Sequence, residues 1–134
     1  MATFNKFNSF VEALSEKVHN LGSDTLTVAL TNTLPVNTNT VLANITQISY
    51  TNLSTRVLAG VTSAQSSGTY KLDANDLVLT ASGTVAQFRY VVLYNDTAAS
   101  DELIGWYDYG AAVDLVNGET FTVTWDAAGI LTLA

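Results

Sequence analysis

Short alternating segments make up most of this chain and set the main limit on its fold. After Gly22 the apolar residues recur at every second position, beginning with Leu26, Val28 and Leu30. Side chains two residues apart lie on the same face of a β-strand, so this period is typical of half-buried strands. Turn-forming residues separate the segments, and no alternation of strand and helix follows. The sequence therefore predicts an antiparallel β-protein.

Later segments extend the same pattern. Strands are expected at residues 45–50, 56–61, 69–72, 77–80 and 84–94, the last with Ala86, Phe88, Tyr90, Val92 and Tyr94 on one face. Residues 31–40 carry the single proline and are expected to form a loop, and residues 63–68 are expected to form a polar turn.

Two glycines near the C-terminus predict hairpins of one design. A three-residue loop 116–118, with Gly118 in the left-handed region, sets Val113 opposite Phe121. A similar loop 127–129, with Gly129 in that position, sets Trp125 opposite Leu131. Both registers place apolar residues opposite each other, which favours them over shorter loops.

The N-terminal segment has a different period. Apolar residues from Phe7 to Leu21 are spaced by three and four, which predicts an amphipathic helix over residues 7–21. Thr3 or Asn5 is expected to cap its start, and Gly22 to end it. His19 falls on the polar side of this helix and is expected to be solvated rather than to act as a catalytic base.

These patterns predict one domain over residues 1–134, which is mainly β. Residues 23–134 are expected to form an antiparallel β-sandwich of seven to nine short strands, jelly-roll-like or Ig-like. Residues 1–22 supply one amphipathic helix, either packed on this body or exchanged with a neighbouring subunit.

Composition excludes several functions. The chain has no cysteine, a net charge of −7 and five Lys and Arg together, so thiolate metal sites and nucleic-acid binding are not expected. Neither a secretory signal nor a membrane span is expected, because no long apolar run occurs. Charged residues make up 13% of the chain, about half of the usual quarter, which indicates that much of the surface meets other protein.

Candidate chemistry is sparse. Acidic loops at 72–77 and 94–102 could supply oxygen ligands to calcium, but Asp and Asn are common in turns, and that interpretation is favoured. We expect no catalytic residue, no metal, no cofactor and no enzymatic activity.

The stretch "LIGWYDYG" at 103–110 places apolar and aromatic residues on both faces of one strand, so both faces are expected to be covered. Trp106 is expected to lie in the core. Tyr107 and Tyr109 fit either the core or a contact with a second subunit, since aromatic residues are enriched at interfaces.

Three segments carry a resemblance to a known class: "MATFNKFNSFVEALSEKVHNLGSDTLTVALTNTLP", "FRYVVLYNDTAASDELIGWYDYG" and "NGETFTVTWDAAGILTLA". Together they resemble small virion structural proteins of tailed bacteriophages, in particular capsid decoration (cement) proteins. The resemblance implies a β-sandwich or β-barrel body that assembles as a dimer or trimer on the capsid surface and binds neighbouring major capsid subunits. A homotrimer, made in the host cytoplasm, is favoured over a dimer.

Five aromatic residues are the candidates for these contacts. Tyr107 and Tyr109 are expected in a self-association patch, while Phe4, Phe7 and Phe10 are expected to pack the helix on the body or to reach a neighbouring subunit. Alternative functions are a tail or baseplate adaptor, a tail-tip protein, a small carbohydrate-binding module and, with less support, a small hydrolase.

Overall fold

The computed structural model describes residues 2–134 and is mainly β, with a β-sandwich-like arrangement of antiparallel strands and one helix. The strands are β1 (Asn5–Lys6), β2 (Leu26–Thr31), β3 (Thr62–Ser66), β4 (Thr69–Asp73), β5 (Leu77–Thr80), β6 (Val85–Asn95), β7 (Leu103–Leu115), β8 (Thr120–Val123) and β9 (Leu131–Leu133). Helix α1 (Ser9–Ser15) lies between β1 and β2, and a 3-10 turn spans Leu42–Asn44. The predicted fold class is confirmed.

A central sheet with the strand order β1-β7-β6-β2 organises the molecule. Its strands alternate between two buried clusters, as the period of two requires. Val28 and Val91 face a large cluster, whereas Ala29 and Val92 face a small one. The small cluster consists of Phe7, Ala29, Ile45, Val92, Tyr94 and Leu103. Both faces of the sheet are therefore covered. The sequence predicted this for residues 103–110 only, and the prediction that the strand at 26–30 is half-buried is wrong, because all of Leu26–Thr31 is buried between the two clusters.

Two smaller sheets close the large cluster. Their strand orders are β3-β4-β9 and β5-β8, and they contribute Leu72, Leu79 and Val123 to it. The strands predicted at 26–30, 69–72, 77–80 and 84–94 are confirmed within one or two residues.

Two predicted strands and one predicted turn are wrong. Residues 45–50 and 56–61 are irregular and meet β2 through isolated bridges, Thr31 with Gln47 and Thr27 with Val57. One of the hydrogen bonds between residues 45–50 and β2 involves a side chain: the Tyr50 hydroxyl accepts it from Leu30 N at 3.0 Å. Residues 63–66 of the predicted turn belong to β3 (Thr62–Ser66), and the turn is confined to the two residues before β4.

The two predicted hairpins are also wrong, although both glycines take the expected conformation, with φ of +86° at Gly118 and +105° at Gly129. The chain turns at these points, but β8 pairs with β5 and β9 pairs with β4. Local apolar matching did not decide the partners, because strands distant in sequence offered apolar faces too.

Register shifts change which face some residues occupy. The extra residue Ile104 in β7 lies between the pairs Leu103 with Tyr94 and Gly105 with Leu93. A further shift separates Phe88 from Tyr90, so Phe88 faces the large cluster while Val92 and Tyr94 face the small one. The single apolar face predicted for residues 86–94 is therefore wrong, because bulges interrupt the alternation.

The helix predicted over residues 7–21 is wrong in length and in its caps. It runs from Ser9 to Ser15, and Asn8 precedes it without a side-chain cap. Lys17, with a φ of 68°, ends it: Val18 N donates to Ala13 O at 2.9 Å, and Lys17 N donates to Leu14 O at 3.4 Å. This pair of bonds is a Schellman motif. A lysine occupies the position where glycine is usual, so the sequence carried no stop signal there.

Candidate functional site

A groove lies between the N-terminal segment and β9, and we call it the β9 groove. Its volume is about 540 Å³, and it is lined by residues 2–4, 6, 10, 107, 126 and 128–133. Three of the five predicted contact residues, Phe4, Phe10 and Tyr107, lie together in its lining. The tertiary structure thus brings residues from positions 4, 10 and 107 into one surface.

The Phe4 ring can line the groove because the residue beside it on β7, Gly105, has no side chain. A Cβ added at Gly105 would overlap the Phe4 ring and would lie 3.0 Å from Asn5 O. The ring therefore occupies the space that a side chain on β7 would fill, and it packs on Tyr107 with ring centroids 5.7 Å apart. Gly105 is needed here because the N-terminal strand approaches β7 closely.

The predicted contact residues differ in what they can offer a partner. Phe7, Phe10 and Tyr107 are 0%, 2% and 5% exposed, so they pack within their own chain. Tyr107 belongs to the large cluster, which favours the core interpretation of that residue. Tyr109 is half-buried on Phe121 and lines a neighbouring pocket with Ala2.

Both tryptophans are held within the fold. Trp125 is 4% exposed and its Nε1 donates to Asn75 O at 3.0 Å. Trp106 is half-buried against the small cluster, and its Nε1 donates to Asn37 Oδ1 at 3.2 Å. The predicted core position of Trp106 is therefore only partly correct.

The groove is suited to binding rather than to proton transfer. Burial raises the pKa of Tyr107 above its ordinary value and raises the pKa of Tyr109 to about 12, so both phenols stay protonated near neutral pH. The charged residues in the lining are Lys6 and Asp126. The Asp126 carboxylate accepts a hydrogen bond from Ala128 N at 2.8 Å and so helps to shape the turn.

One wall of the groove is an edge strand. Within residues 2–134, β9 pairs with β4 and has no strand on its other side. An edge strand presents backbone N–H and C=O groups that an extended segment can pair with. The β9 groove therefore combines an apolar floor with a strand edge that pairs with no other strand of residues 2–134.

A second concavity, which we call the His19 cleft, has a volume of about 560 Å³. It is lined by Leu14, residues 17–22, Asp24, Ser63, Tyr70, Thr97, Ala98 and Leu133. His19 was predicted to be solvated on the helix, and this is wrong: it lies beyond the end of α1 and is 5% exposed.

A network of hydrogen bonds determines which ring nitrogen of His19 carries the proton. Asn95 Oδ1 accepts hydrogen bonds from Thr97 N at 3.0 Å and Ala98 N at 3.2 Å, so the amide nitrogen faces the other way. That nitrogen donates to Asp24 Oδ2 at 2.7 Å and lies 3.0 Å from His19 Nδ1. Nδ1 is therefore an acceptor, and Nε2 carries the proton of the neutral ring.

The ring stays neutral because of its surroundings. Desolvation by burial lowers the pKa of His19 below its usual 6.5, although the carboxylates of Glu102 and Asp24 oppose this shift. Its Nε2 is buried and has no partner among residues 2–134. His19 thus carries one buried, unsatisfied donor, which is costly.

The acidic loops take individual partners. Asp73 pairs with Lys71 at 3.3 Å, and Asp76 Oδ1 accepts a hydrogen bond from Trp125 N at 3.3 Å. Glu102 Oε2 accepts one from Ser100 N at 3.3 Å. Within the described chain, no group of three or more His, Asp or Glu residues is placed to hold a metal ion.

Sequence reasoning missed the His19 network and the C-terminal wall of the β9 groove. Asp24 and Asn95 are 71 residues apart, and no local pattern links them. The wall at 128–133 was interpreted as half of a hairpin, so its free edge was not foreseen.

Comparison with known protein families, curated proteins and solved structures gives no match to this chain. In the described part of the chain, no helix has the length and apolar character needed to cross a membrane.

Proposed function

We propose that this chain is a non-enzymatic virion structural protein, a capsid decoration (cement) protein that self-associates and binds neighbouring major capsid subunits. The observation that carries the proposal is an apolar groove beside an edge strand, in which Phe4, Leu131 and Leu133 are partly exposed above the buried Phe10 and Tyr107. The resemblance of three segments to phage virion proteins supplies the class of partner.

The proposed mechanism follows from the groove. An extended segment of a capsid subunit pairs with β9 and places alternate side chains on the apolar floor. Burial of apolar area contributes roughly 25 cal/mol per Å² before the costs of association. The low share of charged residues, 13%, fits a protein whose surface meets protein partners.

The test is binding to empty heads of the virus that encodes the chain. Ala128 is exposed and lines the groove, so Ala128→Trp fills it. The neighbouring Ala127 is also exposed but lies outside the lining, which makes Ala127→Trp a matched control. We expect Ala128→Trp to weaken co-sedimentation with heads about tenfold or more and Ala127→Trp to leave it unchanged.

Two results contradict the proposal. Wild-type protein that does not sediment with heads removes the decoration function, and labelling at the tail instead favours an adaptor. Equal binding by the two tryptophan variants removes the β9 groove as the contact.

A further inference from the structure

The turn before β8 contains the one asparagine of the sequence that is followed by glycine, Asn117-Gly118. Both residues are exposed, and Gly118 has a φ of +86°. Asparagine is a thermally labile residue, because its side-chain amide carbon can be attacked by the backbone nitrogen of the next residue. A side chain on that next residue hinders the attack, and glycine has none. The turn therefore presents the most reactive asparagine pairing of the chain to water.

Hydrogen bonds from the end of β5 hold this turn in place. Gly118 N donates to Ala81 O at 2.8 Å, and Ala81 N donates to Glu119 O at 2.9 Å. These two bonds continue the pairing of β5 with β8 beyond its last pair, Thr80 with Thr120. The nitrogen that would attack the asparagine is thus already bonded in the folded protein.

This bond sets a condition for the reaction. Gly118 N must lose its proton to become a nucleophile, and its N–H is held by Ala81 O. The turn must therefore open before the reaction can begin. Turns and strand ends open locally at a lower free energy than the core of a sheet, so opening does not require the whole chain to unfold.

We propose that Asn117 is a self-modification site, which deamidates in the folded protein at a rate set by opening of the hydrogen bond between Gly118 and Ala81. Gly118 N forms a bond to Asn117 Cγ, and the bond from Cγ to Nδ2 breaks. Nδ2 leaves as ammonia, taking the proton that Gly118 N gives up. Water then adds to either carbonyl of the resulting cyclic imide and opens it to aspartate or to β-linked aspartate.

Both products change the turn. Each adds one negative charge to a chain whose net charge is already −7. In the β-linked product the main chain runs through the former side chain and is one carbon longer. That extra atom shifts Gly118 relative to Ala81, so the paired end of β5 and β8 is weaker after the reaction.

Peptide mapping by mass spectrometry tests the site on the wild-type protein. Samples are kept at mildly alkaline pH, one folded and one unfolded in urea. We expect deamidation at Asn117 ahead of every other asparagine in both samples, and about tenfold or more slower in the folded one, because only the opened turn reacts. A faster reaction at another asparagine, equal rates in the two samples, or no product in the folded sample would each overturn the proposal.

Two matched variants distinguish local opening from global unfolding. Thr120 and Thr69 are both exposed, and each is the first residue of a strand that follows a turn, β8 and β4 respectively. Glycine weakens a strand at either position. We expect Thr120→Gly to speed deamidation of the folded protein about threefold and Thr69→Gly to leave it unchanged, with equal rates for both in urea. Equal acceleration by the two variants would place the reaction in the unfolded chain and overturn the role of the turn.

Discussion

On one face of the central sheet the covering chain is mostly strand, and on the other face it is loop and a single 3-10 turn. The large cluster is closed by β4, β5 and β8 through Leu72, Leu79 and Val123. The small cluster is closed by Phe7 and Ile45, which lie outside the strands, with Leu42 packed against them. Full burial therefore does not require regular structure, but the two kinds of cover should respond differently to mutation.

Phe88 and Phe7 give the largest expected effects and the most direct comparison. Both are 0% exposed, Phe88 in the large cluster and Phe7 in the small one. Replacing a buried Phe with Ala costs about 3–5 kcal/mol, less where the surroundings can collapse into the cavity. We expect Phe88→Ala near the top of this range and Phe7→Ala near the bottom, because loops relax more easily than paired strands. Urea unfolding measures both, and equal losses would remove the distinction between the faces.

Gly105 tests the packing of the N-terminal segment on β7. A Cβ there overlaps Phe4, so Gly105→Ala should displace that ring and lower stability by about 1–3 kcal/mol. Gly22→Ala is the control, since its Cβ would meet Asn20 and Ser63 at 3.5 and 3.7 Å, which are ordinary contacts. Chemical unfolding of the two variants decides this, and a Gly105→Ala variant as stable as the control would contradict the close approach.

His19 tests the polar network at one end of the sheet. Burial lowers its pKa in the folded state, so the unfolded chain binds more protons below about pH 6.5. Stability should therefore fall as the pH drops through 6.5 towards the lowered folded pKa. A His19→Gln variant should lose less stability between pH 7 and 5, because Gln does not titrate. Urea midpoints at several pH values measure the difference, and identical pH profiles would contradict a neutral buried ring.

Replacing Lys17 is expected to raise stability slightly, whereas the substitutions above lower it. Its φ of 68° is strained for a residue with a Cβ. Lys17→Gly should stabilise the protein by about 0.5–1 kcal/mol, the strain relief exceeding the extra entropy of the unfolded chain. Lys17→Ala keeps the Cβ and should show no such gain in thermal unfolding. A gain in both variants would point to the charge rather than to the backbone.

Prediction from the sequence succeeded where local pattern and burial coincide. Leu26 to Leu30 alternates and is a strand, although it is buried on both faces and not on one as expected. In "LIGWYDYG" both faces are covered over residues 103–107, whereas Gly110 is exposed. Prediction failed where a residue distant in sequence determined the local backbone structure. Tyr50 supplies a phenol to β2 in place of a backbone group, so its segment is not a strand despite its composition.

The candidate sites show the same division. The sequence marks Phe4, Phe10 and Tyr107 as contact candidates because they are aromatic, but it does not show where they lie in the fold. The structure places all three in the lining of the β9 groove. Leu34 and Val36, in the loop after β2, are 57% and 56% exposed. The sequence did not predict this, because apolar residues in a loop have no periodicity that reveals their environment.

By itself, the sequence determined the mainly β class, the positions of most strands and the two glycine turns, because alternation and positive φ depend on residues close in the chain. The tertiary structure decided which strands pair, where α1 ends, and that His19 is buried beside Asn95. These depend on competition among distant apolar faces and on which polar groups find partners, and no local window contains that information.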